Sequence, residues 1–123
     1  MIDWFARPVL HVSDVEAAIR YYVDRLGFTE AWRHAEDGKL LVAQVDRAGC
    51  ALILACNLAD KAGGGTMFIS LNAGSKEAQA IALDALRAEF EAKGVEVRDG
   101  QWGYRVITVA DPNGNALMFN YTD

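Results

Sequence analysis

The stretch FARPVLHVSDVEAAIRYYVDRLGF, Phe5–Phe28, contains one strand and one helix, and both ends of the helix are marked. Phe5–His11 is a predicted strand, and Ser13 with Glu16 has the spacing of a capping box, which satisfies free N–H groups at a helix start. Gly27 supplies the left-handed residue that ends a helix, so we expect an amphipathic helix of about 13 residues. Its apolar stripe recurs every three or four positions: Val15, Ile19, Tyr22, Val23 and Leu26.

Three strand-like runs follow this helix. They are Phe28–His34, Leu40–Asp46 and Cys50–Cys56, and the turn residues between them predict an antiparallel meander. The next segment, Asn57–Gly65, is a predicted linker whose three consecutive glycines give flexibility. It differs from a phosphate-binding loop, because neither a helix nor a Lys-Ser/Thr pair directly follows the glycines.

The same order recurs in the second half of the chain. Thr66–Leu71 is a predicted strand, Ser75 is a predicted N-cap, and a second amphipathic helix ends at Gly94. Three more strands are predicted: Val95–Arg98, Tyr104–Val109 and Asn115–Phe119. The sequence therefore predicts an α+β fold in a single domain, residues 1–123. Two βαβββ repeats, about 1–57 and 66–123, are expected to form curled mixed sheets around a cleft, where ligands preferentially bind.

The composition argues against several classes of function. The chain has 123 residues, of which 52% are hydrophobic, enough for the core of one ordinary domain. No apolar run approaches the roughly 20 residues of a membrane helix, and no signal peptide is recognisable, so no membrane partner is expected. The net charge is −5 and Lys and Arg are not clustered, which argues against a nucleic-acid partner. The negative charge serves solubility or attracts a cationic ligand, and both interpretations stay open.

Cys50 and Cys56 are the only cysteines and are predicted to lie on one strand. Six residues of extended chain separate them by roughly 20 Å, whereas a disulfide requires two Cα atoms within roughly 7 Å. They therefore cannot pair within that strand. Two free thiols indicate a reducing compartment, and we expect the protein to be cytoplasmic.

Two motifs bracket nearly the whole chain. The first is Pro8–Ala18 followed by Tyr21-Tyr22 and Asp24–Phe28, and the second is Asp111–Asn115. Together they resemble the opening and closing signatures of the glyoxalase, bleomycin-resistance and extradiol-dioxygenase superfamily, also called vicinal oxygen chelate. Trp102–Arg105, just before the second motif, is most similar to the bleomycin-resistance and antibiotic-sequestering branch. That resemblance implies a homodimer, usually with two ligand clefts at the dimer interface.

The resemblance also implies where a catalytic metal would be held. In the metal-using members, a His five residues before the valine at Val12 falls on Arg7, the second-half His falls on Thr66, and a Glu in the last strand falls on Met118. The remaining acidic ligand is expected on Ala51–Ala55, which has no polar side chain. A guanidinium only donates hydrogen bonds, and a thioether is a poor ligand for hard or borderline divalent ions. We therefore expect no metal and no other cofactor.

Aromatic residues are the natural candidates for holding a ligand, since a flat ring buries a large area at low entropic cost. The predicted ligand-binding residues are Trp102, Tyr104, Trp32, His34, Phe68 and Met118. For Trp102 a contact in a dimer seam is an equal alternative, and for Trp32 a core position is an equal alternative. For Phe68 a core position is the preferred interpretation. His11 and His34, the only two histidines, are interpreted first as packing or surface residues.

The sequence predicts a metal-free dimeric protein that sequesters a small aromatic or cationic compound such as an antibiotic. The alternative is a metal-dependent lyase or dioxygenase of the glyoxalase type, against which the missing ligands argue. A sensor domain is a third hypothesis, but no output module is visible in the chain. The expected partners are a small molecule and a second copy of the chain, on which Trp4 and Phe5 are predicted to pack.

Overall fold

The first half of the chain folds into a four-stranded sheet with one helix. In the computed structural model, which describes residues 1–121, its elements are β1 (Val9–His11), α1 (Val15–Asp24), β2 (Thr29–Glu36), β3 (Lys39–Arg47) and β4 (Cys50–Ala55). The strands lie in the order β1-β4-β3-β2. Strand β1 is parallel to β4, and the other neighbours are antiparallel, so the predicted meander is confirmed.

The second half repeats this arrangement after a short 3-10 helix at Ala59–Lys61. Its elements are β5 (Thr66–Ile69), α2 (Lys76–Ala92), β6 (Arg98–Gln101), β7 (Arg105–Ala110) and β8 (Ala116–Asn120). The order β5-β8-β7-β6, with β5 parallel to β8, matches the first sheet strand for strand. The predicted fold class, α+β with two four-stranded mixed sheets and one helix in each half, is confirmed.

The start of α1 corrects one prediction, whereas its end agrees with another. Asp14, not Ser13, is the N-cap, because its carboxylate accepts a hydrogen bond at 3.1 Å from the backbone N–H three residues later. The Ser13 hydroxyl instead accepts from the side-chain amide of Asn113 at 3.0 Å. A tertiary contact therefore replaces the predicted capping box. Helix α1 has 10 residues, and Gly27, with φ of +75°, follows its C-terminus as predicted.

Two predicted strands are shortened or displaced. Residues 5–8 precede β1 instead of belonging to it, and Phe5 is exposed. The strand predicted at Val95–Arg98 begins only at Arg98. Val95 is buried, and its N–H donates to the carbonyl of Phe90 in the last turn of α2. The apolar residue after Gly94 therefore belongs to the helix-ending motif, in which such a residue packs back on the helix.

The glycine-rich loop between the halves is held in place, contrary to the flexibility that was predicted. The Gly63 N–H donates to the carbonyl of His11 at 3.0 Å, and the Gly65 N–H donates to Asn115 Oδ1 at 3.0 Å. A Cβ at Gly63 would lie 2.1 Å from the carbonyl oxygen of Asn113, and Gly63 has φ of +83°. Glycine is therefore required here for a close backbone approach between the halves.

One face of each sheet and one face of each helix bury a common core. Its fully buried members come from both halves and include Val12, Tyr22, Leu52, Leu54, Leu83, Phe90, Ile107 and Leu117. The opposite face of each sheet is left open. Among residues 1–121, no helix is long and apolar enough to cross a membrane.

A buried carboxylate joins the two halves within this core. Asp111, 5% exposed, accepts hydrogen bonds from the Tyr22 hydroxyl at 3.0 Å, from the N–H groups of Asn113 and Asn115, and from the Asn115 side-chain amide. Burial raises the pKa of the Tyr22 phenol, and the adjacent Asp111 carboxylate raises it further, so the phenol stays protonated and donates. The Asp-Pro-Asn-Gly-Asn turn of the second half thereby holds α1 of the first half.

Candidate functional site

The open face of the second sheet carries two of the predicted binding residues. Strands β5 and β8 pair with Phe68 opposite Met118. Successive side chains on a strand point to opposite faces, and the neighbours Met67 and Leu117 are buried in the core. Phe68 and Met118 therefore lie on the face away from the core. Phe68 is 41% exposed, so the preferred core position for this residue is wrong.

The turn between β6 and β7 places two more aromatic rings on this face. The ring centroid of Phe68 lies 5.1 Å from that of Trp102 and 6.4 Å from that of Tyr104. Gly103, with φ of +76°, lies between Trp102 and Tyr104 in this turn. The backbone N–H of Trp102 donates to the carbonyl of Tyr104 at 2.9 Å. We call Phe68, Trp102 and Tyr104 the aromatic cluster.

The aromatic cluster is accessible and has unused polar groups. Trp102 is 60% exposed and Tyr104 is 44% exposed. Neither the Trp102 indole N–H nor the Tyr104 hydroxyl forms a hydrogen bond to any residue in the range 1–121. An aromatic ligand can therefore stack on the rings and still find hydrogen-bonding groups beside them.

The open face of the first sheet is organised by hydrogen bonds. Trp32 lies opposite Gln44, and His34 lies opposite Val42, so Trp32 and His34 share one face as predicted. The Gln44 side-chain carbonyl accepts from Trp32 Nε1 at 3.1 Å and from Arg7 Nη1 at 2.8 Å. This network fixes the indole of Trp32, whereas Trp102 has no such anchor.

The two sets of predicted residues are not in contact within one chain. No hydrogen bond or ring contact in the described part of the chain joins Trp32 or His34 to the aromatic cluster. His34 is exposed, and its Nε2 lies 3.3 Å from a carboxylate oxygen of Glu36. Trp4 and Phe5, predicted to pack on a second copy, are 94% and 81% exposed. The second sheet alone therefore provides the candidate site of a single chain.

The positions where metal ligands are expected do not fit a metal. Thr66 and Met118 lie on one face of adjacent strands, but Arg7 is bonded to Gln44 in the other sheet. Between residues 1 and 121, no group of three or more His, Cys, Asp or Glu side chains is placed to hold an ion. A protein metal site normally uses at least three such donors. Within residues 1–121 of one chain, the side chains at these positions therefore do not suit a divalent ion.

Sequence reasoning missed Gln44 as the organising residue of the first sheet. Besides accepting from Trp32 and Arg7, its side-chain amide donates to Asp46 at 2.9 Å. The available signal was a single amide side chain in the otherwise apolar run Leu40–Val45. A partly buried polar residue in such a run generally has hydrogen-bond partners.

Comparison with known proteins now places the chain in a family. A family model described as glyoxalase superfamily protein matches residues 4–123. The chain belongs to the glyoxalase superfamily. This agrees with the family resemblance of the motifs at both ends of the chain. No curated protein matches the sequence.

Solved structures share the glyoxalase-superfamily fold over nearly their whole length. An antibiotic-binding protein from Streptomyces sp. CB03234 has a TM-score of 0.73 at 23% identity, covering 98% of this chain and 97% of that chain. A bleomycin-binding protein from Streptomyces verticillus, complexed with copper(II)-bleomycin, also has a TM-score of 0.73, at 24% identity and 100% of both chains. A lactoylglutathione lyase from Agrobacterium tumefaciens has a TM-score of 0.67 at 18% identity, covering 96% and 93%. At these identities the likeness establishes the fold.

Proposed function

We propose that this glyoxalase-superfamily protein is a homodimer that binds a small aromatic or cationic molecule, such as an antibiotic, without a metal. The observation that carries the proposal is the aromatic cluster, in which Trp102 and Tyr104 flank Phe68 on an open sheet face. Stacking on such rings buries a large apolar area, and their electron-rich faces also attract cations. The cluster therefore suits a planar ligand that is either neutral or positively charged.

Met118 supports binding over metal catalysis at this face. It pairs with Phe68 in the sheet and is half-buried at the position where the metal-using relatives are expected to carry a glutamate. A flexible, polarisable thioether adapts to apolar and aromatic surfaces. Met118 thus extends the apolar surface beside the aromatic cluster.

Exposed apolar groups on both halves support the homodimer. The open sheet faces expose Phe68, Trp32 and Val9, and Trp4 and Phe5 are exposed near the start of the chain. Contiguous exposed apolar surface generally marks an interaction site. A second copy of the chain would cover part of this surface and could bring Trp32 and His34 of one copy to the aromatic cluster of the other.

Two further features support the proposal more generally. Cys50 and Cys56 are both free thiols, which fits a reducing, cytoplasmic environment. Two structural neighbours are an antibiotic-binding protein and a bleomycin-binding protein. Bleomycin is therefore the first compound to test, together with planar aromatic cations.

The decisive experiment combines a binding screen with the variant Trp102→Ala. Ligands are first identified by thermal shift, with and without divalent metals, because a ligand that binds the native state raises the unfolding temperature. A bound planar ligand should quench tryptophan fluorescence. Trp102→Ala should weaken its binding by roughly 1–3 kcal/mol, the range for losing a buried aromatic contact.

Ile81→Ala is the matched control for this experiment. It removes an apolar side chain that is 71% exposed on α2, away from the aromatic cluster and from the proposed dimer contacts. Affinity should stay close to that of the wild type in this control. If Trp102→Ala leaves affinity intact and light scattering shows that it dissociates the dimer, Trp102 is a dimer contact and the binding site is misplaced. A stoichiometric metal in untagged protein after dialysis would contradict the metal-free proposal.

A further inference from the structure

A cavity of about 540 Å³ lies on the core side of the second sheet, between the two halves of the chain. Its floor is apolar and mostly buried, formed by Leu26, Phe28, Leu86, Phe90 and Phe119. Exposed residues at the turn between β3 and β4 and at 72–73 form its rim. This volume is within the range of small-molecule sites, roughly 300–1,000 Å³.

The cavity is separated from the aromatic cluster by the sheet itself. Ile69 and Phe119 line the cavity and are paired across β5 and β8. Their sequence neighbours Phe68 and Met118 point to the opposite face, because side chains alternate along a strand. A molecule in the cavity therefore cannot touch the aromatic cluster.

The cation at the rim of the cavity is already neutralised. Arg47 Nη1 and Nη2 donate to the two carboxylate oxygens of Glu89 at 2.7 and 2.9 Å, and Nη1 also donates to the carbonyl of Leu26 at 2.6 Å. A Cβ at Gly27 would lie 2.3 Å from Arg47 Nη1, so the glycine leaves room for this guanidinium. The bidentate pair holds the cation away from other anions and leaves the lining without net charge.

The thiol of Cys50 in the lining is uncharged. Cys50, at the first position of β4, is a half-buried free thiol that lines the cavity. Burial raises the pKa of this thiol, and the nearby Asp46 carboxylate raises it further. Near neutral pH the lining therefore offers apolar surface, a neutral thiol and a compensated ion pair.

We propose that this cavity is a second binding site, distinct from the aromatic cluster, for a small uncharged apolar or aromatic molecule. The shape and the apolar floor supply the binding surface. The compensated Arg47–Glu89 pair at the rim excludes a strongly charged ligand, which would lose hydration without gaining a free counter-ion. The site stands whether or not the aromatic cluster binds a ligand.

The test uses N-phenyl-1-naphthylamine, an uncharged aromatic fluorophore, as the probe. Ala82 on α2 lines the cavity, so the larger side chain of Ala82→Phe occupies part of it, and the affinity for the probe should fall by about tenfold or more. Ala85 is on the same helix but exposed and outside the lining, so Ala85→Phe is the matched control and should change the affinity by less than about twofold. The same pair of variants is also measured in a Trp102→Ala background, in which the aromatic cluster is disabled, and Ala82→Phe should weaken probe binding there to the same extent.

A second measurement needs no change in the lining. Alkylation of wild-type protein by N-ethylmaleimide is followed by peptide mass spectrometry, with the buried Cys56 as internal reference. Saturating probe should slow the modification of Cys50. The inference is overturned if the probe does not bind saturably, or if Cys50 stays unprotected. It is also overturned if Trp102→Ala abolishes probe binding while Ala82→Phe leaves it unchanged, because the probe then sits on the aromatic cluster.

Discussion

At the junction between the halves, Asp111 accepts four hydrogen bonds, whereas on the open face of the second sheet the side chains of Trp102 and Tyr104 form none within residues 1–121. Asp111 is 5% exposed and Trp102 is 60% exposed. Trp102 and Tyr104 precede β7 and Asp111 follows it, so these residues lie within ten positions of one another in sequence. One short segment therefore contains a fully partnered structural centre and an unpartnered surface.

The difference separates stability from binding. Burying a polar group is tolerated only when its hydrogen bonds are satisfied, so the surroundings of Asp111 are tightly constrained. Exposed rings contribute little to folding and keep their apolar area and polar atoms for another molecule. We therefore expect changes at the junction to act on folding, and changes on the aromatic face to act on ligand affinity.

The largest effect is expected for Asp111→Ala. This change leaves the Tyr22 hydroxyl and the Asn115 backbone N–H buried without their acceptor, which should lower the free energy of unfolding by about 3 kcal/mol or more. Urea unfolding followed by circular dichroism measures the change. Trp102→Ala in the same assay should stay within about 0.5 kcal/mol of the wild type, as expected for a surface residue.

Asp99→Ala is a control that removes a carboxylate from an exposed ion pair. Asp99 accepts both of its hydrogen bonds from Arg87 on α2, and its side chain is 63% exposed. The urea midpoint of the Asp99→Ala variant should stay close to that of the wild type. If Asp111→Ala is no more destabilising than Asp99→Ala, the junction is not the structural centre that the hydrogen bonds indicate.

A smaller effect is expected for Met118→Glu, which places a charge beside the aromatic cluster. This prediction rests on the proposed function. The new carboxylate should tighten binding of a cationic ligand and weaken binding of a neutral aromatic one, in each case by about 1 kcal/mol. Titration calorimetry with one ligand of each kind at two salt concentrations measures both signs.

Ile81→Glu is the matched control, because it changes the net charge equally on an exposed part of α2. It should shift neither affinity measurably. Equal shifts in the two variants would mean that overall charge, and not the position of Met118, controls binding. A divalent ion that binds Met118→Glu stoichiometrically would show that the surrounding residues do supply metal ligands.

The smallest effect is expected for the half-exposed pair Arg47–Glu89, which also bridges the two halves. The hydrogen bond from Arg47 holds the pKa of Glu89 below its ordinary value of 4.5. The pair therefore stabilises the fold above about pH 4.5 and loses this contribution as the pH falls further. Solvent screening limits the contribution to less than about 1 kcal/mol.

Glu89→Gln isolates this contribution from the rest of the acid response. At pH 7 the variant should unfold at slightly lower urea concentration than the wild type, and the two midpoints should approach each other as the pH is lowered from 4.5 to 3. A difference that persists unchanged at pH 3 would show that the Glu89 side chain acts through packing and not through charge. Such a result would also weaken the distinction between the exposed Arg47–Glu89 pair and the buried hydrogen bonds of Asp111.

Much of the fold could be predicted because its signals are local. Gly27 and Gly94 both have positive φ at the helix ends, and Ser75 accepts from the N–H of Ala78 as an N-cap does. Ser13 and Val95 show where local signals fail. The Ser13 hydroxyl accepts a hydrogen bond from Asn113 in the other half, and Val95 packs back on α2 instead of entering a strand.

The candidate site could be predicted only residue by residue. The two-residue period correctly placed Trp32 with His34 on one strand face, and it placed Phe68 and Met118 on corresponding strands. It could not show that Trp32 is anchored by Gln44, because that bond depends on the register between β2 and β3. The six residues remain a predicted set, and one chain brings Phe68, Trp102 and Tyr104 into ring contact.

By itself, the sequence determined the succession of elements, their duplication and the superfamily, because hydrophobic period, caps and turn residues act between near neighbours. Only the tertiary structure decided that Trp102 meets Phe68, that Asp111 joins the halves through Tyr22, and that a cavity lies between α2 and the β3–β4 turn. These contacts depend on how two folded halves close on each other. Strand register and close backbone approach, at positions such as Gly63, set that closure, and no local pattern encodes it.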